Sequence, residues 1–474
     1  MSEKNVIAEI VERRKKDIAE RGYNFGFKIP EKRTRPINPF MESKGVILEV
    51  KRASPSKGNI APDLNSAETA KKYRANGASA ISCLTEENYF KGSLKDLIAV
   101  CEAVPDVAVL RKDFLIDEEE IDIAYRCGAD GVLLISGMLT LEKMLSMTAK
   151  CKELGIRALV EVRTLEDAEK VLEVKKQYAD TIVCGVNSRN LKDFTIDLLV
   201  PAMLKNKLGG KVIFESGIST PEAASKIASM GFTGILLGEF AARNPERTWD
   251  FVKAFKETDE NLCGKKLVEL ANKVNLRGEK PMVKICGLTR KEDVLLADEL
   301  GADFVGFIFA TEFGRNVYGQ RFDALKDCLG KVKAFKVAVV TRPETEEAKA
   351  AVQLVKDGVL DFVQLHGITY DQMPDYIKDV PHYFAITKKS KTEDFNAPKL
   401  FAYGEPRYLQ DSGDHNYETD EHLWLAGGVT CENVESLIQQ FQPELVDVSS
   451  GIETSELGIK DQAKLRELIK KIKG

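Results

Sequence analysis

Short runs of β-branched and aliphatic residues alternate with stretches of helical spacing along the whole chain, and this alternation limits the fold more than any other feature. In the first half the runs are "VILEV" from Val46, "AISCLT" from Ala80, "VAVLRK" from Val107 and "GVLLIS" from Gly131, then "RALVEV" from Arg157, "TIVCGV" from Thr181, "KVIFES" from Lys211 and "GILLGE" from Gly234. Eight βα units in succession predict a closed (β/α)8 TIM barrel over an open doubly wound sheet. The second half repeats the pattern with "MVKIC", "FVGFIF", "AFKVAVV", "FVQLH", "YFAIT", "RYLQD", "LWLAGG" and "LVDVSSG". At 474 residues the chain has room for both, since one such barrel takes about 250 residues.

The predicted class is therefore α/β, two tandem barrels over residues 1–260 and 281–474. Before Gly45 lies an amphipathic helix carrying Ile7, Ile10, Val11 and Ile18, which would cover one end of the first barrel. Between the barrels, residues 261–280 are polar, Lys-rich and without strand pattern, and read as a partly helical linker.

Composition excludes several classes of function. A net charge of −5 is small for this length and gives no basis for a nucleic-acid partner. No apolar run of about 18 residues and no signal-peptide pattern is present, so no membrane association is expected, and a cytoplasmic location is the default. The nine cysteines are scattered without a CxxC pair, and the four histidines lack metal-site spacing. No disulfide framework, metal or cofactor is expected, and the chemistry falls to Lys, Glu, Asp and Cys. A monomer is the expected state.

On a barrel strand, interior positions take apolar filler, whereas charges at the C-terminal end face the mouth. In the first half Glu49 and Lys51, Lys112, Glu161, Asn187 with Arg189, and Glu215 all close strands. Any one alone could be a structural ion pair; together they form a candidate site for a small, multiply anionic ligand. Phe90, Phe114, Leu133 and Leu191 fall just beyond the same strands, either as core or as walls for an aromatic substrate. Both halves also share strand, Gly, β-branched residue, Ser or Thr, then helix, in "FESGISTPEAASKI" and "LAGGVTCENVESLI". Each expects a capped helix start, followed by a strand ending in Gly238 or Gly451, which is the loop pair that binds phosphate in such barrels.

The strings "ILEVKRASPSKG", "CLTEENYFKGS", "VLRKDF", "LVEV", "GVNSRNL" and "ESGI" resemble indole-3-glycerol-phosphate synthase as far as about Phe255. The resemblance implies closure of the indole ring of a carboxyphenylamino-deoxyribulose phosphate, with loss of carbon dioxide and water. It implies that Lys112 is the general acid and Glu161 the acid/base of dehydration, with Glu49 and Asn187 orienting them. Lys51 would neutralise substrate anions and Arg189 the carboxylate region, with Ser54, Ser216, Gly217 and Gly238 around the phosphate. Glu239 stands where a small hydroxyl residue would suit that phosphate better.

"VKICGLTR", "GADFVGFIF", "VQLHG", "LAGGVTCENV" and "VDVSSGIE" are similar to phosphoribosylanthranilate isomerase. That resemblance implies an Amadori rearrangement with Cys286 as general base and Asp411 as general acid. Arg315 would hold the anthranilate carboxylate, His366 would form a pocket wall, and Gly427, Gly428, Ser450 and Gly451 would surround the phosphate. Two departures bear on it. After Asp411 the family's Gly-rich loop is replaced by the acidic "SGDHNYETDEH", which should repel a phosphate unless it swings away, and "SELGIKD" lacks the family's proline. The expected ligands are anthranilate-derived sugar phosphates. Bifunctional catalysis of consecutive steps is one reading. The other is a working synthase beside a second barrel that only binds or stabilises, and a sugar-phosphate isomerase or epimerase of another pathway stands third.

Overall fold

The computed structural model divides into two compact units, residues 1–260 and 261–474, and describes residues 3–55, 57–189, 195–418, 420 and 422–474. Each unit is built around a closed, all-parallel eight-stranded barrel. The first contains β1 (Gly45–Val50), β2 (Ala80–Leu84), β3 (Ala108–Lys112), β4 (Gly131–Ile135), β5 (Arg157–Val162), β6 (Ile182–Asn187), β7 (Val212–Glu215) and β8 (Gly234–Leu237). Closure is made by β8 on β1, from Gly45 opposite Gly234 to Leu48 opposite Leu237. Nearly every strand residue is buried, as strands covered by helices outside and side chains inside must be.

Ile47, Leu110, Leu133, Leu159, Val183, Ile213 and Leu236 fill the interior of the first barrel. Phe40 and Met41, from the segment that precedes β1, plug its floor against the first residues of β4 and β8, where a Cβ on Gly131 or Gly234 would stand 3.5 Å from Phe40 or 2.5 Å from Met41. The N-terminal extension is thus a helix, α1 (Glu3–Arg21), followed by this plug. Arg14 of α1 is buried and donates to Glu120 at 2.8 Å and to Asp113 at 3.1 Å. Asp113 directly follows Lys112, so α1 braces the loop that leaves β3.

The second barrel runs in sequence order through β9 (Met282–Ile285), β10 (Phe304–Ile308), β11 (Phe335–Val340), β12 (Phe362–His366), β13 (His382–Thr387), β14 (Tyr408–Asp411), β15 (Trp424–Ala426) and β16 (Leu445–Val448). A ring of aromatics closes its floor: Phe304 contacts Phe335 and Trp424 at centroid distances of 5.3 and 5.6 Å, Phe362 contacts Phe335 at 5.3 Å and Tyr383 at 6.4 Å, and Tyr383 contacts Trp424 at 5.2 Å. Most of the stretch expected as linker is a helix, Leu262–Leu276, and it lies in the second unit. Lys266 pairs with Asp361 at 2.9 Å, Lys273 with Asp303 at 3.2 Å and Arg277 with Glu444 at 3.7 Å, while Leu267, Leu270 and Val274 are buried. Among the described residues no helix is long and apolar enough to cross a membrane, and all nine cysteines are reduced and buried.

Candidate active sites

In the first barrel the strand-end charges meet. Lys112, at the end of β3, places Nζ 3.1 Å from Glu49 Oε2 and 3.2 Å from Glu215 Oε2. Lys51 Nζ lies 2.7 Å from the other oxygen of Glu49, and Ser82 donates to Glu49 Oε2 at 3.3 Å. Glu161 accepts from Asn187 on one oxygen at 3.3 Å and from both Nε and Nη2 of Arg163 on the other, at 2.9 and 2.7 Å. All three carboxylates are buried, whereas the two lysines remain partly open.

Burial alone would raise every one of these carboxyl pKa values, and their neighbours decide the outcome. Burial pushes Glu49 up, but Lys112 and Lys51 together overcome it and bring it down to about 2. Glu161 also ends lowered, its burial outweighed by Arg163 and Lys112. Glu215 goes the other way: burial and repulsion from Glu161 and Glu49 exceed the pull of Lys112, and its carboxyl rises to about 7. Burial opposes the charge of Lys112, yet the surrounding carboxylates hold its ammonium well above the ordinary lysine value. Two ionised acids, one acid that is half neutral near pH 7 and a protonated amine therefore share one mouth.

The walls come from neighbouring loops. Phe90 and Phe114 lie 6.1 Å apart, and Lys51 stands 5.6 Å from the Phe90 ring. Glu86 shapes the Phe90 loop by accepting the backbone N–H groups of Asn88, Tyr89 and Phe90 at 2.7, 2.6 and 3.0 Å. Leu133 is a correction: it lies within β4, not beyond it, and joins the apolar interior layer, with Phe114 packed against that layer. Leu191 lies outside the described residues. Arg189 is held by its backbone, the N–H donating to Asn187 Oδ1 at 3.1 Å and the carbonyl accepting from Arg163 at 2.8 Å. Ser54 sits in a small hairpin and accepts the N–H of Lys57 at 3.3 Å.

After β7, Ser216 and Gly217 are both left-handed, at φ 73° and 74°, and Thr220 caps the next helix by accepting the N–H of Ala223, with Pro221 in its first turn. A Cβ on Gly238 would lie 2.8 Å from Glu49 and 3.1 Å from Lys51, so this loop approaches the charged cluster closely. In the second barrel Thr430 accepts the Glu432 N–H on its hydroxyl and the Val434 N–H on its carbonyl, each at 3.2 Å, opening a turn that leads into the helix from Val434, and Asn433 Oδ1 accepts the Thr430 N–H at 2.8 Å.

The second site centres on Cys286, just past β9, with Asp411 closing β14 and His366 closing β12. His366 Nε2 is 3.7 Å from Asp411 Oδ2, and its other nitrogen is 3.2 Å from Gln364. Beneath them Lys284 and Asp447, in register on neighbouring strands, form a fully buried pair at 2.5 Å. Burial raises the Cys286 thiol, and Lys284 pulls against that rise. Gly306 makes space for the thiol, since a Cβ there would lie 2.8 Å from Sγ.

Arg315 does not present an open fork: Nε and Nη2 bind the two oxygens of Glu453 at 2.7 and 2.8 Å. Gly451 brings the loop after β16 against the loop after β15, because a Cβ there would meet Val429 O at 1.9 Å. Gly427 and Gly428 are left-handed, and Ser450 opens a short turn beside Gly451. The acidic loop after Asp411 has its described carboxylates engaged: Asp414 with Lys388 at 3.0 Å, Glu418 with Lys391, and Asp420 with the Tyr408 hydroxyl at 2.7 Å. The repulsion expected from its composition is thereby reduced.

Sequence reasoning passed over Arg163 and the Lys284–Asp447 pair. Arg163 stands two residues from Glu161, the spacing that puts both on one side of a strand. A single Lys inside "MVKIC" and a single Asp inside "LVDVSSG" were the signal for the buried pair. Among the described residues there is no cluster of His, Cys, Asp and Glu arranged to hold a metal ion.

Comparison with known proteins assigns each barrel separately. Residues 7–254 match the family model "Indole-3-glycerol phosphate synthase", and residues 283–471 match "N-(5'phosphoribosyl)anthranilate (PRA) isomerase". A "Multifunctional tryptophan biosynthesis protein" of Schizosaccharomyces pombe is 33% identical over 481 residues, covering 91% of this chain and 60% of that protein. Another of that description, from Phycomyces blakesleeanus, is 31% identical, covering 92% of this chain and 64% of its own length. The chain thus spans less than two thirds of either. An indole-3-glycerol phosphate synthase of Oceanobacillus iheyensis is 39% identical over 228 residues, covering 46% of this chain and 85% of that enzyme.

Proposed function

The chain belongs to the indole-3-glycerol phosphate synthase family through its first barrel and to the phosphoribosylanthranilate isomerase family through its second, and from this premise we propose that it catalyses two consecutive steps of tryptophan biosynthesis. The second barrel isomerises N-(5-phosphoribosyl)anthranilate to the carboxyphenylamino-deoxyribulose phosphate, and the first converts that compound to indole-3-glycerol phosphate.

The observation that carries the reading is Lys112, protonated and bracketed by Glu49 and Glu215 at the mouth of the first barrel. In ring closure the Lys112 ammonium protonates the substrate carbonyl oxygen as the new carbon–carbon bond forms and carbon dioxide leaves, and the resulting hydroxyl takes up a second proton and departs as water. Glu161, ionised between Arg163 and Asn187, accepts the ring proton lost with that water. Lys51 and Arg189 meet the substrate's negative charges, Phe90 and Phe114 flank its ring, and Ser54, Ser216, Gly217 and Gly238 surround the phosphate. In the second barrel Asp411 protonates the ribosyl ring oxygen, and Cys286, as thiolate, removes the proton from the sugar's second carbon. Arg315 meets the anthranilate carboxylate through the donors that Glu453 leaves, and Gly427, Gly428, Ser450 and Gly451 cradle the phosphate.

Steady-state assays of both half reactions on the full chain test this. Lys112→Met should lower synthase turnover by about a thousandfold and leave isomerase turnover unchanged, and Cys286→Ala should do the reverse. Loss of both activities in either variant contradicts separate sites. A wild-type chain with synthase but no isomerase activity would restrict the second barrel to binding or stabilisation.

A further inference from the structure

Ring closure and dehydration act on the same oxygen. It is protonated once when the carbonyl becomes a hydroxyl, and again when that hydroxyl leaves as water. A donor placed for the first transfer is placed for the second, but it must regain a proton in between. Resting on the synthase reading above, we propose that Glu215 is the proton store that recharges Lys112 between the two steps.

The geometry separates Glu215 from the other two acids. Glu49 is bound by Lys51, Lys112 and Ser82, and Glu161 by Arg163 and Asn187, so both are held as anions. Among the described residues Glu215 is paired only with Lys112, on Oε2; its Oε1, like Glu49 Oε1, is buried without a hydrogen bond, but Glu49 Oε1 has Lys51 Nζ at 2.7 Å and Glu215 Oε1 has no cation beside it. That oxygen packs on the backbone of Gly185, where a Cβ would stand 2.1 Å away. A buried carboxylate oxygen with no donor is costly, and neutralising the group removes that cost. The rise of Glu215 to about 7, with Lys112 held far above it, agrees in direction. The charges that act most strongly on the store are Lys112 on β3, then Glu161 on β5 and Glu49 on β1.

The protons balance. Lys112 gives its proton to the carbonyl oxygen and becomes a neutral amine. The Glu215 carboxyl passes its proton across 3.2 Å to that amine, which restores the ammonium between two carboxylates. Lys112 then protonates the hydroxyl, the carbon–oxygen bond breaks, and water leaves. Glu161 takes the proton released from the ring as the double bond forms. Lys112 and Glu215 are then each one proton short and Glu161 one proton over; exchange with solvent resets all three before the next turnover, with one proton consumed net, as loss of carbon dioxide from a carboxylate requires.

Glu215→Gln keeps the shape and the contact to Lys112 but cannot carry the proton. Single-turnover reactions of the full chain with the carboxyphenylamino-deoxyribulose phosphate would follow substrate loss and indole appearance separately. The proposal expects substrate loss within about 3-fold of wild type and indole appearance slowed on the order of 100-fold, with a decarboxylated hydroxyl intermediate accumulating. Equal slowing of both phases, or of neither, overturns it and leaves Glu215 a structural partner of Lys112. A Glu215→Gln chain that fails to fold would be replaced by Glu215→Asp, which should recover indole formation in part; no recovery in a folded Asp variant also counts against the store. Absence of indole product from wild type would instead refute the synthase reading.

Discussion

Gly185 and Gly306 each leave room beside a reactive side chain, and a methyl group at either would meet it: 2.1 Å from Glu215 Oε1 in one barrel, 2.8 Å from Cys286 Sγ in the other. Neither glycine has a left-handed backbone, so the constraint is space alone. Alanine at Gly185 should cost about 1–3 kcal/mol and depress synthase turnover only, and alanine at Gly306 should depress isomerase turnover only; chemical denaturation alongside both assays checks this. The opposed shifts of Glu49 and Glu215 also predict how pH acts on the first unit. Glu49, lowered to about 2, contributes stability that is present above the unfolded value of about 4.3 and is lost as pH falls toward 2. Glu215, raised to about 7, favours the folded state only while neutral, so stability falls as pH climbs from about 4.3 through 7. Thermal melts across pH should show both slopes, with the alkaline one missing in Glu215→Gln.

At the scale of elements, two helices outside the barrel repeat reach back toward the parts that matter. Through Arg14, α1 holds Asp113 and Glu120 beside the loop after Lys112. Arg14→Ala removes the cation paired with buried Glu120, while Asp113 keeps Arg111 at 3.2 Å. The loss should cost about 3–5 kcal/mol and reduce synthase turnover while sparing the isomerase; a melt and the paired assays measure it. Helix Leu262–Leu276 sets cations and a buried apolar stripe against the second unit. A fragment beginning at Asn261 should therefore melt higher than one beginning at Pro281, although both contain all eight strands. The strands were legible because a parallel barrel demands apolar residues on both strand faces, which leaves an unbroken signature in the chain. The role of residues 261–280 was not, since a helix with one apolar stripe and several lysines looks alike whether it bridges domains or packs on one. For the same reason the partner of Arg315 escaped notice: nothing local to "EFGRNV" reveals that Glu453, far along the chain, takes two of its donors.

For the whole molecule, two self-contained cores predict that residues 1–260 and 261–474, produced separately, retain the synthase and isomerase activities respectively. The strand-end charges of the first barrel could be grouped from sequence because barrel topology sends every strand's C-terminal end to one mouth. Distances within that group, and the opposite fates of Glu49 and Glu215, depend on which neighbour each carboxylate meets, and this only the folded chain decides. The sealed thiols have a practical consequence. Five cysteines lie in the first unit and four in the second, all shielded by packing. A maleimide can reach them only when the surrounding segment opens, so the rate at which each peptide gains reagent mass is a clock on local opening. Cys83 or Cys184 would time one barrel and Cys328 or Cys431 the other, in a single tube and without any engineered label.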